Sequence, residues 1–169
     1  MSCLPRWLVA ILRRVLPLFG QQRPADLLKV TGEKSAYDYW QLVADRKELQ
    51  RAWLAQMAEL DVDVVLCPGA ALAALPHGMS KDLSPSFSYN FMFNLLHVPC
   101  GCVPFTRVRS DETTYTSPHK DIWTAFAAQA TAGSDSLPVG VQVSALPFRD
   151  ELLMYALREV EACQDSDCK

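Results

Sequence analysis

A chain of 169 residues, 50% hydrophobic and 21% charged, has the composition of a folded domain, which excludes an intrinsically disordered one. Its net charge of −3 conceals an asymmetry: residues 1–28 hold Arg6, Arg13, Arg14 and Arg23 against Asp26, a balance of +3 that leaves −6 on the remainder. The acidic body and a basic segment that is apolar on its other face exclude a nucleic-acid-binding surface; the basic front predicts a surface contact of its own. The six cysteines include no C-x-x-C pair and no histidine at zinc-ligand spacing, so buried, reduced, cytosolic thiols are expected rather than a disulfide framework or a metal site.

The first stretch with a clear period is residues 4–19. Leu4, Trp7, Leu8, Ile11, Leu12, Val15, Leu18 and Phe19 recur every three or four positions, with Arg6, Arg13 and Arg14 between them. That is an amphipathic helix with an aromatic and aliphatic face and a basic flank. Its uncharged run is shorter than the ~20 apolar residues needed to cross a bilayer. Three readings compete: a helix facing a core, a mitochondrial presequence (no acidic residue precedes Asp26), and a helix lying in the membrane interface with its arginines reaching phosphates. The interfacial helix also accounts for Trp7 and Phe19, and it is preferred. It makes Trp7, Leu8, Ile11, Leu12, Arg13 and Arg14 the candidate membrane-binding residues.

Residues 29–34 read as a polar linker. Ser35 with Asp38 forms a capping-box start for a helix from Ala36 to about Leu60 that should bury Trp40, Val43, Leu49, Ala52, Trp53, Met57 and Leu60. Asp61 to Cys67 reads as a buried strand ended by Pro68-Gly69, and residues 70–85 as loop. From Ser86 to Leu96 the chain is apolar almost all round, so a helix there must be enclosed or line an apolar cavity. Cys100 to Phe105 is a short strand between prolines, residues 106–120 are polar and loop-like, and Asp121 caps a short helix carrying Ile122, Trp123, Phe126 and Ala130. Val139, Val141 and Val143 alternate with Gly140 and Gln142, the period of a half-buried strand. Gly140 leaves one face of it open to a close approach by backbone or ligand. Asp150 and Glu151 suit the first turn of a helix that continues to Glu161, with a frayed polar tail after Cys163.

Several of these stretches share a resemblance. Leu-Pro-Val-Gly-Val-Gln at 137–142, leading to a helix that opens with an acidic residue and two leucines, is similar to the C-terminal end of amidase-signature enzymes. So is the long helix followed by Leu-Asp-Val-Asp-Val-Val-Leu-Cys-Pro at 60–68. Leu4-Pro5-Arg6-Trp7, a leucine-rich basic helix and then Pro17-Leu18-Phe19 resembles the membrane-binding cap of the fatty acid amide hydrolases, with Pro17 as the break between two helices. The Ser-Tyr-x-x-x-x-Asn-Leu stretch at 88–95 is similar to the helix that lines their acyl channel.

The resemblance implies a partial amidase-signature fold of α/β class: strands from one edge of a mixed sheet, covered by helices, with an amphipathic cap helix at the N-terminus. It divides the chain into a membrane cap (1–28), the C-terminal part of an amidase-signature domain (29–163) and a polar tail (164–169). It implies a membrane-bound serine hydrolase of fatty acid amides such as N-acylethanolamines. That enzyme would be peripheral or monotopic on the cytoplasmic face of intracellular membranes, with the endoplasmic reticulum as the first expectation. Carried over by position, Phe19, Ser84, Phe87, Phe91 and Trp123 face the acyl chain. The implied partners are membrane lipid and the fatty acid amide substrate, with a homodimer or a full-length subunit as possible protein partners. No cofactor is implied.

The family hydrolyses amides with a Ser–Ser–Lys triad beside an oxyanion hole in a Gly- and Ser-rich signature. No Gly-Gly-Ser-Ser-Gly run occurs in this sequence. Ser80-Lys81 and Ser134-x-Ser136 lack glycines to aim backbone N–H groups at an oxyanion, and Gly78-Met79-Ser80-Lys81-Asp82 has only the first half of a nucleophile elbow. No phosphate loop, dinucleotide fingerprint or calcium loop appears. No catalytic residue and no metal ligand is therefore assigned. The segment is expected to supply cap and acyl channel and to be inactive alone; the alternative is a truncated, non-catalytic, membrane-associated interaction module.

Overall fold

The computed structural model describes residues 5–167. Leu4 of the predicted apolar face and residues 168–169 of the predicted tail lie outside them, as do the side chains of Arg6 and residues 164–167.

Helix α1 (Arg6–Val15) starts at Pro5 and carries Arg13 and Arg14 in its last turn, where cations complement the helix dipole. Pro17 ends it by tightening the chain into a 3₁₀ turn, Leu16–Phe19. Gly20, at φ +73°, then reverses the backbone, and its N–H and that of Gln21 take up the carbonyls of Pro17 and Leu16. Helix α2 (Gln22–Val30) follows and packs against α1. It carries helix past residue 29, so the polar linker shrinks to residues 31–35, all exposed.

Helix α3 (Ala36–Glu59) opens on the expected capping box: the Asp38 N–H donates to Ser35 Oγ at 3.0 Å and the Ser35 N–H to Asp38 Oδ2 at 3.3 Å. The face expected to be buried is largely open. Met57 is buried and Val43 and Trp53 half-buried, but Trp40 is 66% exposed, and Leu49, Ala52 and Leu60 are exposed too. The reason is that α3 meets the fold only from Arg46 onward, which leaves Trp40 open, and on one face, which leaves Leu49, Ala52 and Leu60 open. Trp53 packs on Phe93, Leu96 and Val98, and Arg46 and Gln50 donate to the carbonyls of Leu95 and Leu96. Those carbonyls end helix α4 (Ser88–Leu96) and have no partner within it. The α4 helix turns Phe93 and Leu96 inward and leaves Tyr89, Phe91, Met92 and Leu95 exposed, so within this chain it is half enclosed.

Three strands form one sheet in the order β1-β3-β2, with β1 at Val64–Pro68, β2 at Cys100–Arg107 and β3 at Pro138–Ala145. Both pairings are antiparallel, with Cys67 and Cys102 flanking Gln142 across the sheet. Asp61, at φ +51°, delays β1 to Val64, three residues after the predicted start at Asp61. A bulge between Pro104 and Thr106 interrupts β2, where proline has no N–H to give the ladder. The α6 helix (Asp150–Asp167) closes one face of the sheet: Leu153, Ala156, Leu157 and Val160 pack on Val143, Ala145 and Val64. Gly101 permits that closeness, since a Cβ there would lie 2.5 Å from Leu157 Cδ1. The helix runs on to Asp167, beyond the predicted end at Glu161. Helix α5 (Ile122–Ala132) sits on a separate small core, with Ala127 and Ala130 against Leu83 and the half-buried Leu72, Leu75 and Phe126.

Candidate functional site

The helix–turn–helix of α1 and α2 presents an apolar outward surface. Trp7 is 65% exposed, Leu18 81% and Phe19 73%, with Ile11 and Val15 exposed beside them. Leu8 and Leu12 are half-buried, while Arg13 and Arg14 are exposed at the end of α1. Among the described residues, no helix is long and apolar enough to cross a membrane.

The inward side is polar at one point. Arg23 on α2 grips Asp121 with two bonds of 2.6 Å, Nε to Oδ2 and Nη2 to Oδ1, and Nη2 reaches Thr124 Oγ1 at 2.9 Å. Two residues earlier, Gln21 Oε1 accepts the Ile122 N–H at 2.9 Å. Asp121 is buried and also caps α5, accepting the Thr124 N–H at 3.0 Å. The Arg23 guanidinium holds the Asp121 carboxyl down to about 2; burial works the other way, and the Thr124 N–H adds to the depression.

The sign of that shift fixes a pH dependence. A carboxyl whose pKa is lowered on folding from 3.8 to about 2 contributes stability above pH ~4 and loses it as pH falls toward 2. The amount is roughly 2 kcal/mol at neutral pH. Arg23→Met should therefore lower the unfolding midpoint strongly at pH 6, and the gap to the parent should shrink by pH ~2.5. A gap that stays constant over that window would mean that charge on Asp121 is not what Arg23 stabilises.

Two cavities share part of their walls, and the helix–turn–helix borders the smaller through Arg23. The smaller, about 130 Å³, is walled by Arg23, Leu72, Leu83, Ser86, Tyr115 and Trp123. The Arg23 guanidinium stands 5.9 Å from the centre of the Trp123 ring. The larger, about 440 Å³, shares Leu72 and Ser86 and adds Phe87, Asn90, Cys102 and Gly140. Gly140 works there as its sequence context predicts: a Cβ would come within 2.6 Å of Cys102 Sγ and 3.2 Å of the Val103 carbonyl oxygen. The Ser86 hydroxyl, common to both cavities, donates to the Leu83 carbonyl at 2.7 Å.

Of the acyl-facing residues assigned by resemblance, Trp123 walls the smaller cavity and Phe87 the larger. Ser84, half-buried in the 3₁₀ turn Ser84–Phe87, and the exposed Phe91 and Phe19 are not among the residues lining either. The sequence reading counted Arg23 only as charge and Asp121 only as a cap, and it missed Tyr115, Cys102 and the pair itself. Arg23 and Asp121 lie 98 positions apart, and no local pattern links them.

Comparison with known proteins places this arrangement. The Amidase family model matches residues 18–154. Fatty-acid amide hydrolase 1 of Sus scrofa is 34% identical over 163 residues, covering 94% of this chain and 28% of the porcine protein. Fatty acid amide hydrolase 1 of Caenorhabditis elegans is 29% identical over 160 residues, 93% of this chain and 28% of its own length. An amidase of Gibberella moniliformis (strain M3125 / FGSC 7600) is 30% identical over 113 residues, 67% of this chain and 18% of the fungal protein. The chain thus spans just over a quarter of the two fatty acid amide hydrolases it matches. With the family model covering most of the chain and the α/β arrangement of a partial amidase-signature fold, this protein belongs to the amidase family.

Proposed function

We propose that this chain is the lipid-facing portion of a fatty acid amide hydrolase. Its α1–α2 unit lies in one membrane leaflet as a cap, and the two cavities form part of the acyl-chain channel. The Ser–Ser–Lys centre is supplied by other parts of the enzyme, so this segment alone is inactive. The whole enzyme would hydrolyse fatty acid amides such as N-acylethanolamines at the cytoplasmic face of intracellular membranes.

The observation that carries the reading is the outward face of the helix–turn–helix, where Trp7, Ile11, Leu18 and Phe19 are exposed beside Arg13 and Arg14. Large apolar side chains rimmed by arginine suit the boundary between acyl chains and phosphates. Phe87 and Trp123 on adjoining cavities support the channel; Phe19, Ser84 and Phe91 enter it by resemblance. The test is flotation of residues 1–169 with phosphatidylcholine vesicles, with and without phosphatidylserine. The chain should float with both and more tightly with the anionic ones; a chain left at the bottom of both gradients overturns the cap.

One feature favours a second reading, a module that binds another protein. Tyr37, Trp40 and Leu49 along α3 and Leu60 at its end are exposed, and β1 and β2 are the edge strands of the sheet. A second copy or a longer subunit of the enzyme would cover them. A chain that pairs in solution without floating on vesicles would favour this module over the cap.

A further inference from the structure

Among the described residues, the hydrogen bonds that join the helix–turn–helix to the fold beyond residue 35 gather at one spot. Gln21 takes the Ile122 N–H, and Arg23 holds the Asp121 carboxylate and the Thr124 hydroxyl. Gly20 lies beside them, its missing Cβ 4.0 Å from the Lys120 carbonyl oxygen. On its other side the unit continues into residues 31–35, which are exposed. The helix–turn–helix is thus a body with internal contacts of its own, tied at the N-terminus of α5 and followed by a solvent-washed connector.

The chemistry of the tie is that of a specific pair. Asp121 is buried, with 1% of its side chain exposed, so its charge depends on Arg23 and on the capping N–H of Thr124. A two-pronged guanidinium–carboxylate contact fixes direction as well as distance, which a lysine ammonium cannot do. The same guanidinium stands over Trp123 and walls the smaller cavity. One side chain therefore sets the position of the helix–turn–helix, the ring of Trp123 and the boundary of the cavity.

We infer that the Arg23–Asp121 pair is a latch. Closed, it holds α1 and α2 against the first turn of α5 and pins Trp123 at the cavity wall. Opened, it frees the helix–turn–helix to move as one unit on residues 31–35 and uncovers the side of the cavity that Arg23 occupies. Arg23 and Asp121 are positioning residues in this account and take no part in bond breaking. The latch rests on these contacts; its use as a lipid doorway rests on the function proposed above.

Amide hydrogen exchange of the full chain in vesicle-free buffer tests it. The Ile122 N–H, whose acceptor sits on the helix–turn–helix, reports the tie directly, and residues 22–30 report the unit. Arg23→Met should speed exchange at Ile122 and across residues 22–30 at least tenfold more than it speeds exchange in β3 and α6. Arg23→Lys should recover part of the protection, because it keeps the charge without the fork. Exchange at Ile122 unchanged in Arg23→Met would overturn the latch. So would exchange that rises equally throughout the fold, since the pair would then be a general stabiliser. Flotation of the same variants reads the membrane proposal separately: Arg23→Met leaves the outward face intact and should still float if that proposal holds, and failure of the parent to float would leave the exchange result standing.

Discussion

Residues 1–169 alone should hydrolyse no fatty acid amide above the buffer rate, and no serine should be labelled by a fluorophosphonate probe. A serine becomes a nucleophile when a base takes its proton and backbone donors await the oxyanion. The buried serines here spend their hydroxyls otherwise. Ser86 donates to the Leu83 carbonyl, Ser134 to that of Thr131 and Ser144 to that of Pro99, at 2.7, 2.7 and 3.1 Å. A hydroxyl that donates to a carbonyl has no base to activate it. Ser80 and Lys81, adjacent in sequence, are both exposed on the 3₁₀ turn Met79–Lys81. Removing the nucleophile or base from a serine hydrolase costs about a millionfold in rate, so the expected result is a blank. Stoichiometric labelling of any serine in this chain would place a catalytic centre where none is proposed.

The second large effect concerns the outward face of the helix–turn–helix. Substituting Trp7, Ile11 and Phe19 with Ser removes three exposed apolar side chains without opening a core. Full burial of each is worth roughly 1.5–3 kcal/mol, so even partial insertion predicts a loss of about 4 kcal/mol, or about a thousandfold in vesicle partitioning, at any ionic strength. Arg13→Gln with Arg14→Gln should act differently. Each basic residue near an anionic surface contributes about 1 kcal/mol, a term that salt screens. The pair should therefore cost about thirtyfold on anionic vesicles at low salt and little on neutral ones. Circular dichroism and the unfolding midpoint should stay at parent values in both variants. Equal losses on neutral and anionic vesicles for the arginine pair would remove the electrostatic half of the account.

What was legible in the sequence was local. Ser35 and Asp38 announce the start of α3, Pro17 the end of α1, and Asp121 the cap of α5, because each acts on backbone within four residues of itself. The alternation of Val139, Val141 and Val143 gave β3, and Gly140 the close approach that Cys102 and Val103 make. Burial was less legible because it belongs to partners and not to periods. The α3 helix has the apolar pattern of a core helix, yet Trp40 lies open because α4 meets α3 only from Arg46 onward, and Leu49 lies open on a face that α4 does not cover. The smaller cavity depends on segments brought together from residues 23, 72, 86, 115 and 123, and no spacing predicts that meeting. Resemblance supplied Trp123 and Phe87; it did not supply Arg23, Tyr115 or Cys102.

Quenching of tryptophan fluorescence by lipid with brominated acyl chains tests the central claim most directly. The chain holds four tryptophans, and Trp7 is the one on the outward face of the helix–turn–helix. Comparing the parent with Trp7→Phe isolates its contribution without disturbing the core. The membrane-cap account predicts that brominated vesicles quench the parent and that Trp7→Phe loses most of that quenching while remaining vesicle-bound. Quenching that is absent in the parent, or unchanged by Trp7→Phe, would contradict it.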